Sequence, residues 1–411
     1  MSLRGEQAGD RAALALAAGA CGGPPEPPVD PAIAGPRLTV YSGQPLGGYE
    51  GDRARDVVDA ERLALGEAGG RVGRWRIRYV ALDDSDPLTG RWEPGLVAAN
   101  ARRAAQDPTT VAYLGEMDSG ASAVAVPVLN EEGILTVSPL DGLAGLTARR
   151  GAGQGEPDKY FPTRRRTFGR IAPGDDVQAA GIVTYLQDRG ARRLYITHDD
   201  SLYGRRLALD VQRRAPAGGI VVVARRAVLP ERGDPRSLVV ELARTPIDAH
   251  LHAGQLRPGV AGLLRAVHSA RPRAVVLASS ALAHQAFTSR LNSAERSVTV
   301  LSPVLPARVL RPAAQAFERR FRAAYGRFPD PAALYGYEAM SVVLDSLRRA
   351  GPDANRRRAV VRAFFATRAR PSVLGTYDID ATGQTTIRSY GAYRVRGGRL
   401  AFERVLDPFG A

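Results

Sequence analysis

At 411 residues, with 44% hydrophobic side chains, the chain is long enough for two or three domains with sizeable cores. No stretch approaches the roughly 18 consecutive apolar residues of a membrane span. The net charge of +15 invites a nucleic-acid reading, yet Lys159 is the sole lysine and the arginines are scattered without an aromatic-interleaved basic motif, so no nucleic-acid partner is expected.

At the N-terminus, Arg11 precedes an Ala/Leu run and then Ala18-Gly19-Ala20-Cys21. This pattern resembles a bacterial lipoprotein signal over residues 1–21, with Cys21 as the acylated residue; the other reading is an inert cysteine in a leader. As the only cysteine, Cys21 cannot form an intramolecular disulfide. Residues 22–36 are Pro/Gly-rich and read as a tether. A strand is predicted over 37–42, then a glycine-rich loop over 43–51 that sets Tyr49 at the strand mouth, and a helix ending near Glu67. That loop lacks the lysine and Ser/Thr of a phosphate loop. Next come a strand over 76–82 ending in Asp83, Asp84 and Asp86, an Ala-rich helix, a strand over 111–114 and a small-residue loop over 115–120. A helix and a strand over 134–137 follow, closing on Ser138-Pro139. After the arginine-rich stretch 149–166, strands are predicted over 194–197, 220–224, 249–252 and 274–278, with helices over 205–214, 237–243 and 259–270. Alternation at these lengths predicts an α/β fold: two parallel-sheet units in tandem, with ligand loops at the strand C-terminal ends and a cleft between them.

Asp118-Ser119-Gly120-Ala121 runs straight into a helix, so its first N–H groups and hydroxyl would face a ligand acceptor such as a carboxylate. Ser119 reads equally as a plain N-cap. Enzymatic signals are lacking. There is no nucleophile-elbow GxSxG and no HExxH, and the five histidines supply one i,i+2 pair, His250 and His252, with no further ligands at metal spacing. His252 and His284 are polar candidates near the cleft. Asp83, Asp84 and Asp86 read as a strand end broken by Pro87. No catalysis, cofactor or metal is expected.

Eight segments in order resemble the periplasmic binding protein type I superfamily, in the leucine/isoleucine/valine-binding branch of ABC-transporter substrate-binding proteins. They are the 43–51 loop, Asp83 to Pro87, Leu114-Gly115 with Ser119 to Ala121, and Glu131 to Pro139. The others are Phe168 to Pro173 with the acids after it, His198 to Ser201 with Tyr203-Gly204, Tyr335 to Ala339, and Gly375 to Gly383. The resemblance implies two Rossmann-like lobes with parallel sheets joined by a three-strand hinge, residues 37–163 plus 303–371 forming lobe 1 and 167–302 plus 373–411 lobe 2. It implies a small-molecule ligand held at Ser119 and Gly120, at Leu140, Asp141 and Gly142, at Tyr203, Gln255 and Val304, and against Tyr49. Three of these depart from the family. Gly142 lacks the expected hydroxyl, Gln255 the aromatic ring, and Val304 the acid that clamps an ammonium, which argues against a zwitterionic amino acid held in the standard way. Asp141 is a substitute cation partner or a solvated turn acid. The implied protein is an extracytoplasmic, lipid-anchored solute-binding component of an ABC importer that closes on a small polar ligand and meets a membrane permease. A ligand-sensing module of a signalling system with the same fold is the alternative.

Overall fold

The chain is described here as a computed structural model covering residues 30–409, apart from 49, 150–151, 232–235 and 311. Cys21 and Tyr49 lie outside the described residues. Two sheets organise Ala32–Ala411, which folds as one compact unit. The first has the order β2-β3-β1-β4-β5-β6, built from β1 (Arg37–Gln44), β2 (Arg71–Val72), β3 (Trp75–Asp83), β4 (Thr110–Leu114), β5 (Leu135–Ser138) and β6 (Phe168–Arg170). Apart from the short antiparallel β2, its strands are parallel. Its crossovers are α1 (Gly51–Glu67), α2 (Pro94–Gln106) and α3 (Ser119–Glu131). Strands such as β4 are buried on every residue, as expected where helices cover both faces.

The second sheet contains β7 (Arg193–His198), β8 (Val221–Ala227), β9 (Ala249–Ala253), β10 (Val275–Ala278) and β11 (Val298–Ser302). Here the helices are α4 (Asp175–Asp188), α5 (Leu202–Arg214), α6 (Arg236–Arg244), α7 (Val260–Ala270) and the single-turn α8 (Gln285–Thr288). The chain then returns to the first core with α9 (Pro312–Tyr325), α10 (Ala333–Ala350) and α11 (Arg357–Phe365), and with the small ribbon β12 (Arg370–Ser372) and β13 (Gly375–Tyr377). Finally β14 (Tyr390–Arg396) and β15 (Arg399–Leu406) add an antiparallel hairpin to β11, completing the order β15-β14-β11-β10-β9-β7-β8.

The chain therefore crosses between the sheets three times: after β6, after β11 and before β14. Two lobe boundaries differ from the sequence reading. β6 pairs with β5, and Ile171 and Ala172 pack in the first core, so that lobe extends past 163. Val373, Leu374, Tyr377 and Ile379 also pack there, because their apolar side chains fold back over α10 and α11, so the last crossing falls between Ile379 and Tyr390 rather than near 372. Helix α5 begins at Leu202 rather than 205, since the Ser201 hydroxyl caps it by accepting from the Gly204 N–H at 2.9 Å.

Candidate ligand-binding cleft

Between the two cores lies a cleft of about 430 Å³, lined by residues of both. Much of its wall comes from the C-terminal ends of parallel strands, where an open α/β sheet leaves free loop backbone and helix N-termini, and the β14–β15 hairpin adds Tyr393, Leu400 and Phe402. Of the residues singled out from sequence, Ser119, Leu140, Gly142, Tyr203, Gln255 and Val304 line it. Asp141 lies behind that wall, almost fully buried. Gly120 sits beneath the Trp92 ring, so close that a Cβ there would lie 2.5 Å from Trp92 Cζ2. His252 is buried within the second sheet, its Nδ1 2.9 Å from Thr197 Oγ1, and His284 caps α8 by accepting from the Ala286 N–H; neither is in the wall.

The first-lobe wall is organised by α3. Its N-cap is Asp118, whose carboxylate accepts from the Gly120 N–H at 2.7 Å, so Ser119 is the first helical residue rather than the cap. The Ser119 hydroxyl donates to Asp141 Oδ1 at 2.9 Å. Asp141 Oδ1 also accepts from the Leu143 N–H at 2.7 Å, while Oδ2 is buried without a partner. A solvated turn acid is thus not what Asp141 is: the Ser138 hydroxyl, accepting from the Asp141 N–H at 2.8 Å, folds its loop inward. Burial pushes the Asp118 carboxyl up to about 7, and the nearby Asp141 charge adds to this.

Gly142 and Asp175 are built around each other. Asp175, at the first turn of α4 and 3% exposed, donates its N–H to the Gly142 carbonyl at 2.7 Å. A Cβ on residue 142 would stand 2.1 Å from Asp175 Oδ1. The position where the family's side chain is missing is therefore filled by a carboxylate from another element, and Asp175 lines the cleft with its Oδ2 unpartnered. Burial holds this carboxyl well above the usual carboxylate range, Asp141 reinforces that, and the buried Arg170 guanidinium opposes it.

On the opposite wall, the Tyr203 hydroxyl donates to Gln178 Oε1 at 3.0 Å and lies 2.9 Å from Ser280 Oγ. Gln255 is anchored in the second lobe by its N–H, which donates to Asp199 Oδ2 at 2.8 Å. Its side chain spans the cleft: Nε2 donates to Asp118, and Oε1 accepts from Arg91 Nη2 at 2.9 Å. At the other mouth, Arg53 of α1 donates to the Ala283 carbonyl. Val304 stands on the second crossing, where its carbonyl accepts from the Tyr393 hydroxyl and the Pro303 carbonyl accepts from Tyr335 at 2.7 Å. The sequence reading does not single out Arg53 or Arg91, names Asp118 only as part of the loop entering α3, and takes in Asp175 only as one of the acids after Pro173, because its pairing with Gly142 joins residues far apart in the chain.

The acids Asp83, Asp84 and Asp86 form a turn. Asp83 Oδ1 accepts from the Leu46 and Ser85 N–H groups and Asp86 Oδ1 from those of Leu88 and Thr89. Asp84 is buried beside Glu116; burial raises its carboxyl to about 6, against a lowering hydrogen bond from Glu116. Among the described residues no group of three or more His, Cys, Asp or Glu is placed to hold a metal ion, and no helix is long and apolar enough to cross a membrane.

Comparison with known proteins agrees with this architecture. The family model described as periplasmic binding protein matches residues 44–399. The Leu/Ile/Val-binding protein BraC3 of Rhizobium johnstonii is 25% identical over 363 residues, which is 87% of this chain and 90% of that protein. Among solved structures, the leucine-binding protein LivK of Thermotoga maritima superposes with a TM-score of 0.77 at 21% identity, covering 90% of this chain and 99% of that one. A solute-binding protein of R. palustris in complex with benzoate gives a TM-score of 0.71 at 17% identity, covering 90% and 96%. The chain belongs to the periplasmic binding protein family, has its two-lobe type I fold, and is similar to that family's leucine/isoleucine/valine-binding branch.

Proposed function

We propose that the protein is the extracytoplasmic solute-binding component of an ABC importer, which captures a small polar organic ligand between its lobes and presents it to a membrane permease. The observation that carries this reading is the cleft itself, about 430 Å³ and walled from both lobes. Side chains of each lobe already reach the other through Gln255 to Asp118 and Arg53 to Ala283. A ligand that touches both walls binds the closed arrangement better than an open one, and that difference in affinity shifts the population towards closure. The moving bodies are the lobes expected over 37–163 with 303–371 and over 167–302 with 373–411, shifted at the first and last crossings as described above. The ligands named for the relatives, Leu/Ile/Val and benzoate, support a ligand of that size. Acylation at Cys21 would tether the protein to the membrane that holds the permease.

The test is a thermal-shift screen of the mature protein against amino acids, amides, amines, short peptides and organic anions. A ligand of the native state at a hundred times its dissociation constant adds about 2.7 kcal/mol of stability, so at least one compound is expected to raise the melting temperature clearly. Silence across the whole library would overturn this reading.

A further inference from the structure

The inner end of the cleft carries an excess of carboxyl groups. Asp118 and Asp175 line it and Asp141 stands directly behind Ser119; Asp141 and Asp175 are buried, and Asp118 is half-buried. The buried cation on that side is Arg170, which does not line the cleft: its Nη2 donates to the Leu143 carbonyl at 2.6 Å and to Thr147 Oγ1 at 3.2 Å, and its charge only partly offsets the acids around Asp175. Of the arginines in the lining, Arg53 is engaged by Asp330 and Glu50, Arg91 is directed onto Gln255, and Arg308 lies over the Phe402 ring.

The helix N-terminus that would receive a ligand carboxylate already holds an anion of its own. Asp118 accepts from the Gly120 N–H, and the Ser119 hydroxyl spends its hydrogen on Asp141. The Ser119 oxygen can then only accept from a ligand. A carboxylate placed here would meet Asp118 and the buried Asp141 as like charges, a costly juxtaposition. The opposite charge would be welcome. Asp175 is 3% exposed, lines the cleft and leaves Oδ2 without a partner; burial by itself favours its neutral form, and a cation set against Oδ2 favours the ionised form, the proton leaving to solvent. Farther out, Met117, Leu140, Val304, Tyr393 and Phe402 give an apolar wall for a hydrocarbon body.

We propose that the cleft takes an organic cation, an amine or amidine attached to a hydrocarbon body and carrying no carboxylate, with Asp175 as its main counter-charge and Asp118 as the second. This rests on the solute-binding reading above and adds the ligand's chemical class. The specificity is opposite in sign to that of a site built around a ligand carboxylate: two acids of this chain, one at a helix cap and one filling the space over Gly142, replace the ligand's own anion and bind its cation.

Calorimetric titration of the purified protein with matched pairs tests it: 3-methylbutylamine against leucine, phenethylamine against phenylalanine, benzamidine against benzoate. Each pair shares its hydrocarbon body, and only the first member of each is a cation without a carboxylate. The cation is expected to bind at least about tenfold more tightly than its partner, a difference of about 1.4 kcal/mol. Asp175→Asn, which keeps the shape of the side chain, is expected to remove at least that factor for the cations while leaving the melting temperature of the free protein in place or raising it. Tighter binding by leucine, phenylalanine or benzoate overturns the proposal, as does cation binding unaffected by Asp175→Asn. Silence of all six compounds, with a hit elsewhere in the broad screen from an anion or a neutral amide, overturns the cation assignment alone. Silence in both overturns the solute-binding reading beneath it.

Discussion

Placing a single methyl group on residue 142 tests how the cleft is built. In Gly142→Ala the new Cβ would stand 2.1 Å from Asp175 Oδ1, 2.7 Å from its Cγ and 3.2 Å from Oδ2. Asp175 has little freedom to withdraw, being 3% exposed and tied by its N–H to the Gly142 carbonyl at 2.7 Å. The glycine backbone is not in the left-handed region, so alanine itself is unstrained there and would by itself stabilise by about 0.4–1 kcal/mol through the unfolded chain. The collision is therefore the dominant cost. Overpacking of this kind destabilises by about 1–3 kcal/mol, so Gly142→Ala should lose about that much in urea unfolding. In the Asp175→Ala background the obstacle is gone, and the same methyl should be neutral or stabilising. The two changes should thus couple by at least about 1 kcal/mol in a double-mutant cycle. A Gly142→Ala protein as stable as the parent, or a coupling below about 0.5 kcal/mol, would refute the claim that the Asp175 carboxylate occupies the space over Gly142.

Gln255→Ala removes both hydrogen bonds that this side chain makes across the cleft, to Asp118 and from Arg91, worth on the order of 1–3 kcal/mol to the closed arrangement. Distances between spin labels on the two lobes of the ligand-free protein should broaden towards longer values; an unchanged distribution would show that the bridge does not hold the lobes together. Glu61 is fully buried, accepts from the Tyr79 hydroxyl, and is raised by burial from 4.5 to about 7. Because its folded value lies above its unfolded one, the folded protein holds the proton more tightly, and stability falls as pH rises between those two values. Glu61→Gln should abolish a loss on the order of 3 kcal/mol between about pH 4 and pH 8, and a pH–stability profile identical to the parent's would refute the assignment.

The architecture was legible because parallel strands covered on both faces read as short apolar runs, and because acids, glycines and prolines mark their ends. The runs at 111–114 and 134–137 fall on β4 and β5 for that reason. Register with distant partners was not legible. Nothing near Phe168 says that β6 pairs with β5, and Tyr377 and Ile379 look like ordinary strand residues until α10 and α11 are seen beneath them. The cleft divides in the same way. Ser119 could be picked out because it stands at the start of a helix, a place fixed by local pattern, whereas Leu140, Gly142 and Tyr203 were reached through the family resemblance. Asp175 against Gly142, Gln255 against Asp118, and Trp92 against Gly120 are meetings of residues from separate elements, and a missing side chain at 142 reads as a loss until the carboxylate that fills it is seen.

Those meetings also bear on how closure is driven. Gln255 is held in the second lobe by its backbone bond to Asp199 and reaches Asp118 in the first, while Arg53 makes a second bridge to Ala283. In the proposed closure these contacts would favour the closed form before any ligand adds to it. A ligand then needs less differential affinity to complete the shift, since apparent affinity is reduced only by the fraction of molecules not already competent. The same contacts tie closure to the charge on Asp118, whose carboxyl titrates near 7 in this arrangement. The Gln255 Nε2 donor is held more strongly by a carboxylate than by a neutral acid. A cationic ligand strengthens that bridge by favouring the ionised form of Asp118, whereas an anionic ligand weakens it by favouring the protonated form. In the proposed closure, the charge of the ligand and the tendency of the lobes to close would thus be coupled through one side chain at the cap of α3.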